Sequence, residues 1–292
     1  VDWLRLICAA GNCAPQPSGD KWRFIEDRAR PIAVEKFTDG CISRDEKSGI
    51  SKMKYRREHT RGALTRPNQL IVSFENEFTG SKGDSMPPYP RVGELWLGGE
   101  NPEPIWSENR RVEGITDPDQ VFAWQVMQMK KLRALGRTVI FETTREIVAC
   151  QPGDRIDVAH SLPGWGLASG RLDAATSASI TLDRSVTLEE GRTYVVDVQS
   201  SLTDTRQLRI ISSPAGDYAA GTPITVASAF ADVPAEHDEY SLGETNKAFK
   251  PFTCNRVSLQ VEDNGAVRPT IDAIEYDAGV YDPEPGDVTL PD

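Results

Sequence analysis

The chain has 292 residues, 44 acidic side chains against 33 Lys and Arg, a net charge of -11 and a hydrophobic content of 38%. This length can bury a substantial core and suggests about two domains. No stretch approaches the roughly 20 consecutive apolar residues of a membrane helix, and no secretory signal pattern opens the chain, so we expect a soluble protein. The acidic balance disfavours a protein that works by neutralising nucleic-acid phosphates.

The cysteines indicate the redox environment. The chain has five, spread unevenly over its length: Cys8, Cys13, Cys41, Cys150 and Cys254. A disulfide framework is denser and even-numbered, so we predict reduced, mostly buried thiols and a reducing compartment. A structural zinc site needs close pairs such as C-x2-C, which this sequence lacks, and we expect no metal and no cofactor.

The first 31 residues have the pattern of a unit that has already begun. An apolar stripe over residues 3–8 predicts the end of an amphipathic helix, stopped at Gly11 and Asn12. Polar and apolar residues then alternate over 21–26, as they do in a strand. Because the sequence opens without an initiator Met, we interpret residues 1–31 as the end of a truncated α/β domain cut from a longer polypeptide.

Three segments of the first half differ in character. Residues 44–66 are basic, which fits either a contact with an anionic partner or a solvated face, the interpretation we favour. Residues 68–76 are rich in β-branched and aromatic side chains and predict a strand. Residues 78–115 are rich in Gly and Pro and carry Trp96 and Trp106. Long irregular segments of this kind are usually functional or contact another chain.

The apolar residues of segment 78–115 need cover. Leu97, Ile105 and the two tryptophans are costly to leave in water. A short strand at 94–97 allows a small hairpin that folds back on its own barrel. The alternative, which we favour, is a contact with a neighbouring subunit or another protein.

Residues 117–135 predict one long helix. Thr116 is placed to cap it, Asp119 stands at the capping-box position, and Gly136 ends it. The apolar stripe of this segment is typical of core packing rather than of a cofactor site.

After Gly136 the sequence changes to short strands separated by turns. Strand composition recurs at 138–147, 155–158, 178–183, 193–198, 207–211, 222–227, 252–261 and 270–276. Such spacing predicts an all-β barrel or sandwich, and Asp263, Asn264 and Gly265 predict a hairpin turn. We expect residues 136–276 to form one barrel or split barrel, completed by the strand at 68–76 and packed against the helix.

Catalytic patterns are missing from the sequence. His59, His160 and His237 stand in different segments, and none is paired at metal-ligand spacing. The nucleophile elbow, the P-loop, the H-E-x-x-H motif and the dinucleotide fingerprint do not occur. The glycines around Trp165 form a turn, because no helix follows them to hold a phosphate.

Two carboxylate pairs could serve as the acid and base of a glycosidase, Glu142 with Glu146 and Asp238 with Glu239. Acidic residues are so frequent here that such pairs arise by chance, and a solvated strand face also explains the first pair. We expect no enzyme activity and assign no catalytic, cofactor-binding or metal-binding residues.

Five sequence pieces occur in a fixed order. They lie at 4–28 (Leu-Arg, two cysteines, then Trp-Arg-Phe-Ile-Glu-Asp-Arg), 152–157 (Pro-Gly-Asp-Arg-Ile-Asp), 169–171 (Ser-Gly-Arg), 180–188 (Ile-Thr-Leu-Asp-Arg-Ser-Val-Thr-Leu) and 252–265 (Phe-Thr-Cys-Asn-Arg-Val, then Glu-Asp-Asn-Gly). Together they resemble the hub region of the tail tip attachment protein family of lambda-like phages, the host specificity protein J family, and its prophage and gene-transfer-agent relatives. The segment 78–115 departs from the family as an enlarged insertion.

The resemblance implies a virion structural protein of a phage tail tip, mainly β with some α. It implies three parts: residues 1–31 as the end of a truncated α/β hub domain, 32–276 as a β-barrel-like baseplate hub domain that includes the helix and the insertion, and 277–292 as an acidic, proline-rich linker. The implied partners are two further copies in a homotrimer, other tail tip and tail tube proteins, and a host-surface receptor reached through parts beyond this sequence. Assembly in the bacterial cytoplasm and passage of DNA through the ring, without binding, are also implied.

Two other classes of function remain open on the sequence. A carbohydrate-binding receptor-recognition module could use the loop aromatics Trp96, Trp106, Trp165, Tyr89 and Tyr240 as a stacking platform. A tail-associated lysozyme or peptidase would instead hydrolyse peptidoglycan. Aromatic residues buried at subunit contacts explain the same side chains equally well.

Overall fold

The computed structural model describes residues 3–4, 8, 11–18, 20–45, 48, 51–57, 67–90, 95–96, 99–100, 107–145, 148–161, 163–200, 205–245, 247–261 and 267–282. As predicted, the protein is mainly β with one long helix and a curled half-barrel sheet. It forms two compact units: unit 1 comprises Val1–Pro31, Arg56–Thr138 and Ile274–Asp292, and unit 2 comprises Ile32–Tyr55 and Val139–Ala273.

The strands in chain order are β1 (Cys13–Ser18), β2 (Lys21–Glu26), β3 (Glu35–Phe37), β4 (Lys54–Arg57), β5 (Gln69–Asn76), β6 (Ser81–Ser85), β7 (Leu95–Trp96), β8 (Gly99–Glu100), β9 (Ser107–Arg111), β10 (Arg137–Glu142), β11 (Arg155–Val158), β12 (Ala168–Ala175), β13 (Ser179–Leu182), β14 (Val186–Leu188), β15 (Tyr194–Gln199), β16 (Arg206–Ile210), β17 (Gly216–Tyr218), β18 (Pro223–Thr225), β19 (Glu239–Glu244), β20 (Lys250–Val261) and β21 (Val267–Glu275). The helix α1 spans Pro118–Ala134, and a 3-10 turn spans Ala278–Val280.

The core of unit 1 lies between a three-stranded sheet and α1. The central strand β5 pairs with β6 in antiparallel and with β9 in parallel orientation. Leu70 and Val72 of β5 pack with Val121 and Met129 of α1, all fully buried. Apolar residues alternate along β5, so one of its faces meets the apolar stripe of the helix.

This pairing corrects the prediction for the strand at 68–76 and changes the interpretation of segment 78–115 as an insertion. The strand at 68–76 does not complete a barrel with strands after residue 137, because β6 and β9 already occupy both of its edges. The segment 78–115 supplies those two strands, and its Met86 and Tyr89 lie in the core of unit 1. It is therefore an integral part of this sheet. The hairpin expected near 94–97 is present as β7 and β8; Leu97, Ile105 and Trp106 lie outside the described residues.

The N-cap of the helix lies one residue later than predicted. Asp117 is the N-cap and accepts a hydrogen bond from the Asp119 N–H at 2.9 Å, and Pro118 occupies the first turn. Thr116 instead donates its hydroxyl hydrogen to Glu77 Oε2 at 2.8 Å. Lys131 and Arg133 lie near the carboxyl end, where their positive charges interact favourably with the helix dipole.

Residues 277–282, expected to belong to a linker, are held within unit 1. The Tyr281 hydroxyl donates to Asp27 Oδ1 at 2.6 Å, and Lys130 Nζ donates to the Asp282 carbonyl at 2.7 Å. Lys131 pairs with the same Asp27. Residues 283–292 lie outside the described part of the chain.

Unit 2 contains two six-stranded sheets. The first has the strand order β3-β11-β20-β21-β10-β4, and the second has the order β16-β15-β19-β12-β13-β18. Each has its own core: Phe37, Phe141 and Ile156 are buried in the first, and Leu172 and Tyr240 in the second. Strands β12, β14, β17 and β19 were not predicted from the sequence.

Candidate functional site: a buried ion network

Charged side chains join the two sheets of unit 2. Lys36 of β3, which is completely buried, donates from Nζ to the Asp197 carbonyl at 2.9 Å and lies 3.3 Å from Asp197 Oδ2. Arg206 lies 2.8 Å from Asp197 Oδ2 and 2.6 Å from Asp157 Oδ2. Arg155 reaches the other oxygen of Asp157 at 3.2 Å. The interior therefore holds alternating cations and carboxylates, as buried charges require.

The electrostatics of this row keep Asp197 ionised. Burial raises the pKa of Asp197, but the charges of Lys36 and Arg206 outweigh it and hold the pKa of this carboxyl below its usual range. Burial also lowers the pKa of Lys36, although Asp197 opposes this effect. The charged form of Asp197 is thus maintained by its two cations, and removing either one leaves this buried carboxylate with a single compensating charge.

A second group surrounds Arg145. Its guanidinium bonds Glu35 Oε1 at 2.5 Å and Glu239 Oε2 at 2.7 Å. The other oxygen of Glu35 accepts hydrogen bonds from the backbone N–H groups of Ala149 and Cys150 at 3.0 and 3.2 Å. Since Glu35 lies on β3 and Glu239 on β19, Arg145 also joins the two sheets.

A third group is built around Asp183. Its Oδ1 accepts the Tyr240 hydroxyl at 2.7 Å, and its Oδ2 lies 3.3 Å from Arg184, which also reaches Asp39 at 3.4 Å. A Cβ atom at Gly170 would lie 2.5 and 2.6 Å from the two Asp183 oxygens. Only glycine leaves room for this carboxylate. Burial and the Asp183 bond raise the pKa of Tyr240, so its hydroxyl stays protonated.

His160 lies beside this third group in an arrangement unlike a catalytic relay. Ser51 Oγ lies 2.9 Å from His160 Nε2, and Asp39 Oδ1 lies 3.1 Å from the same nitrogen. A Ser-His-Asp relay needs the hydroxyl and the carboxylate at opposite ring nitrogens. Burial lowers the pKa of His160 against the opposing charge of Asp39, which favours the neutral imidazole at pH 7.

The candidate residues that the structure describes do not come together at one site. His59, Glu146 and Trp106 lie outside the described residues. His237 is exposed, 3.5 Å from Glu236. Glu142 lies 3.2 Å from Lys52 and 3.5 Å from Arg268.

The second carboxylate pair is also engaged in structural contacts. Asp238 accepts a hydrogen bond from the Ala235 N–H at 2.8 Å, and Glu239 belongs to the Arg145 group. Both bonds fix neighbouring parts of unit 2. They occupy carboxylate oxygens that an acid and base pair would direct at a substrate.

The aromatic residues proposed as a sugar platform are mostly core residues. Tyr240 is completely buried, and Tyr89 is buried in unit 1. Trp165 packs at 5.0 Å between ring centroids against both Tyr55 and Phe252. The backbone of Trp96 forms β7. Tyr89, Trp165 and Tyr240 therefore do not form a solvent-facing platform.

Four of the sequence pieces contribute to unit 2, and three of them supply residues to these buried groups. Arg155 and Asp157 come from the second piece, Gly170 from the third, and Asp183 with Arg184 from the fourth. Sequence reasoning missed Lys36, Asp197 and Arg206. A signal was present for Asp197 only, as a carboxylate inside the otherwise apolar run of β15.

Metal-binding groups and membrane-spanning helices are both absent from the described residues. No group of three or more His, Cys, Asp or Glu side chains there is placed to hold a metal ion. Among the same residues, no helix has both the length and the apolar character needed to cross a membrane.

Comparison with known proteins gives a likeness to a solved structure. No protein-family model matches the chain, and no curated protein matches it. Among solved structures, it is similar to the tail protein from Neisseria meningitidis MC58, with a TM-score of 0.41 and 9% sequence identity. The likeness covers 96% of this chain and 56% of the Neisseria protein, so this chain spans little more than half the length of that protein.

Proposed function

We propose that the chain is a structural component of a phage, prophage or gene-transfer-agent tail tip, where it forms part of the distal hub that supports host attachment and DNA passage. The observation that carries the proposal is that three sequence pieces resembling the hub family supply residues to the buried charged groups of unit 2. Asp157 of residues 152–157 bonds Arg206. Gly170 of residues 169–171 and Arg184 of residues 180–188 both lie against Asp183.

The buried ion pairs fit a structural role better than a catalytic one. Lys36, Arg145 and Arg206 each bond carboxylates. Their bonds to Asp197, Glu239 and Asp157 link the two sheets. Buried polar groups satisfied in this way can fix one arrangement of the chain. We propose accordingly that the protein is not an enzyme and that its charges hold the hub in shape.

The proposed partners are two further copies of the chain and other tail proteins. Exposed apolar residues lie where such contacts could form. Leu259 and Val261 near the end of β20 are 66% and 72% exposed, and Trp22 and Phe24 of β2 are 45% and 54% exposed. Apolar groups of this size in water are typical of interaction surfaces. The net charge of -11 would repel DNA from a central channel.

The first test is the mass of the purified chain by light scattering over a range of concentrations. We expect a trimer, weakened by Leu259→Ser with Val261→Ser. Leu208→Ser, which changes an exposed leucine on β16, serves as the matched control. A strict monomer at every concentration contradicts the trimer.

The second test locates the chain in a particle. Gold-labelled antibody should mark the distal tip of tailed particles from a producing strain, and labelling elsewhere or on no particle contradicts the tail-tip role. Glycan-array binding or clearing of a peptidoglycan suspension by the purified chain would instead support the two alternative classes.

A further inference from the structure

Two pairs of cysteines lie near each other, one in each unit. In unit 1 the Cys13 thiol donates to the Cys8 carbonyl at 3.4 Å. In unit 2 Cys150 and Cys254 belong to the same buried core cluster. The fifth cysteine, Cys41, instead contacts Thr38, whose N–H lies 3.0 Å from its sulfur. All five are free thiols in the structure, and Cys254 is buried as predicted.

We propose that Cys8 and Cys13 form a redox-responsive intrachain disulfide when the folded protein meets an oxidant of the peroxide class.

The geometry of the turn brings the Cys13 sulfur against the backbone of Cys8. Cys8 is helical, Gly11 donates its N–H to the Cys8 carbonyl at 3.1 Å, and Cys13 begins β1. A Cβ atom placed on Gly11 would lie 3.6 Å from Cys13 Sγ, so this sulfur is folded back over the turn. Asn12 adopts a φ of 47°, which reverses the chain between the two cysteines.

Accessibility separates this pair from the others. Cys13 is half-buried, whereas Cys8, Cys41, Cys150 and Cys254 are buried. Thiols that respond to oxidants have a low pKa, are solvent-accessible and often have a second cysteine beside them to complete the bridge. Cys13 is accessible, and Cys8 is the second cysteine. Burial and the neighbouring Cys8 raise the pKa of Cys13, so its reactive thiolate, and with it the oxidation, is favoured at alkaline pH.

The reaction balances with hydrogen peroxide. The Cys13 sulfur attacks one peroxide oxygen, which breaks the O–O bond and gives a sulfenic acid and water. The Cys8 sulfur then attacks the sulfenic sulfur, forms the S–S bond and releases a second water. The two sulfurs lose two electrons, and the peroxide is reduced to two molecules of water.

The bridge would tie the helical residue Cys8 to the start of β1. Cys13 is paired with Glu26 of β2, so the bridge also anchors the far strand of this hairpin. A two-stranded hairpin is marginally stable by itself in water, and a covalent anchor at its open end restrains it. This consequence holds in any oxidising medium and does not require the chain to belong to a tail particle.

The test uses the full, reduced chain, exposed to hydrogen peroxide and digested with trypsin. One tryptic peptide, residues 6–21, holds Cys8 and Cys13 and no other cysteine. We expect this peptide to lose the mass of two hydrogen atoms and to regain it with dithiothreitol. Because only Cys13 is accessible, its oxidation should be about tenfold faster than that of Cys150 or Cys254. Oxygen added to Cys13, or a disulfide to a second copy, overturns the proposal.

Variants distinguish the bridge from general reactivity. Cys8→Ser should divert Cys13 to oxygenated or intermolecular products, whereas Cys41→Ser should leave the bridge unchanged. If Cys13 gives the same product at the same rate with and without Cys8, the proposal is wrong. Should Cys8→Ser fail to fold, the mass change of the wild-type peptide and its reversal by dithiothreitol still decide between the outcomes.

Discussion

Single residues of unit 2 are constrained by charge as much as by volume. Lys36 has no exposed surface, yet it occupies a three-residue strand whose sequence, Glu-Lys-Phe, gives no sign of burial. Its position depends on Asp197 and Arg206, which come from distant parts of the chain. Sequence patterns report local periodicity, so a lysine buried by a remote carboxylate is invisible to them. Gly170 was part of a sequence piece noted above, but the need for a glycine at this position is evident only from the closeness of the Asp183 carboxylate.

Replacing Lys36 separates charge from volume. Lys36→Ala leaves a cavity and removes one of the two cations beside Asp197, so we expect it to lower the free energy of unfolding by about 3–5 kcal/mol. Lys36→Met keeps the aliphatic volume but also leaves Asp197 with Arg206 as its one cation, so it should cost about 2–3 kcal/mol, less than Lys36→Ala by the contribution of the cavity. Urea unfolding followed by circular dichroism measures both. Equal losses would show that the ion pair, not the volume, dominates at this position.

Gly170→Ala tests the close approach of Asp183. The added Cβ would displace the carboxylate from the Tyr240 hydroxyl, and we expect a loss of about 2–3 kcal/mol from overpacking and the broken bond. Gly40→Ala is the control, because its nearest contact would be an ordinary 3.6 Å. Thermal unfolding should show a lower Tm for the first variant and little change for the second; similar Tm values for both contradict the steric explanation.

The buried thiol of Cys41 should make the folded protein less stable at alkaline pH. Burial raises the pKa of its thiol to about 11, from an ordinary value near 9. The folded state therefore keeps a proton that the unfolded state releases. The stabilisation of the folded state by this protonated thiol is complete below about pH 9 and is lost as the pH rises towards 11. Cys41→Ala should show a smaller fall in unfolding free energy between pH 8.5 and 10.5 than the wild type. Ser43→Ala, a nearby buried change, should keep the wild-type slope.

At the scale of elements, the sequence predicted what is local. The strands at 21–26 and 155–158 were placed at their observed bounds, because their composition and flanking turns define them. The partner of β5 was predicted wrongly, since strand pairing depends on which edges are free and not on the strand's own composition. β19 was missed because its Glu, Tyr, Ser and Gly residues lack the alternation of a half-buried strand; all but its end residues are buried.

The cap of α1 gives a test at this scale. Asp117→Ala removes the acceptor for the Asp119 N–H and should lower the free energy of unfolding by about 1 kcal/mol. Thr116→Ala removes only an exposed hydrogen bond to Glu77 and should change it by less than about 0.5 kcal/mol. Chemical denaturation of both variants decides which residue caps the helix; a larger effect at Thr116 would contradict the assignment.

At the scale of the whole molecule, two units are built from interleaved segments. Unit 2 begins at Ile32, is interrupted after Tyr55 and resumes at Val139, while unit 1 uses three segments. Sequence reasoning placed boundaries at residues 31 and 276 because composition changes there, and it had no means of detecting that 56–138 belongs with residues 1–31. Such grouping is decided by packing between residues far apart in sequence.

This organisation predicts that unit 2 folds alone. A chain of residues 32–55 and 139–273, joined by a short Gly-Ser linker, retains both six-stranded sheets almost entirely, because β4 and β10 are neighbours in the first sheet. We expect strand-type circular dichroism and one cooperative unfolding transition. As a control, a matched chain that also lacks β3 should lose this cooperativity. A non-cooperative transition for the complete unit would contradict the division into units.

The burial of Lys36 also sets an order of events during synthesis. Its partner Asp197 lies 161 residues further along the chain. At a ribosomal rate of about 5–20 residues per second, roughly 8–30 seconds pass before that carboxylate exists. Until then β3 has neither its counter-charge nor, for most of that time, its parallel partner β11, and the ammonium group stays hydrated. β3 therefore joins its sheet late, and a nascent chain stalled before residue 197 should leave Lys36 open to acylating reagents that cannot reach it in the finished protein.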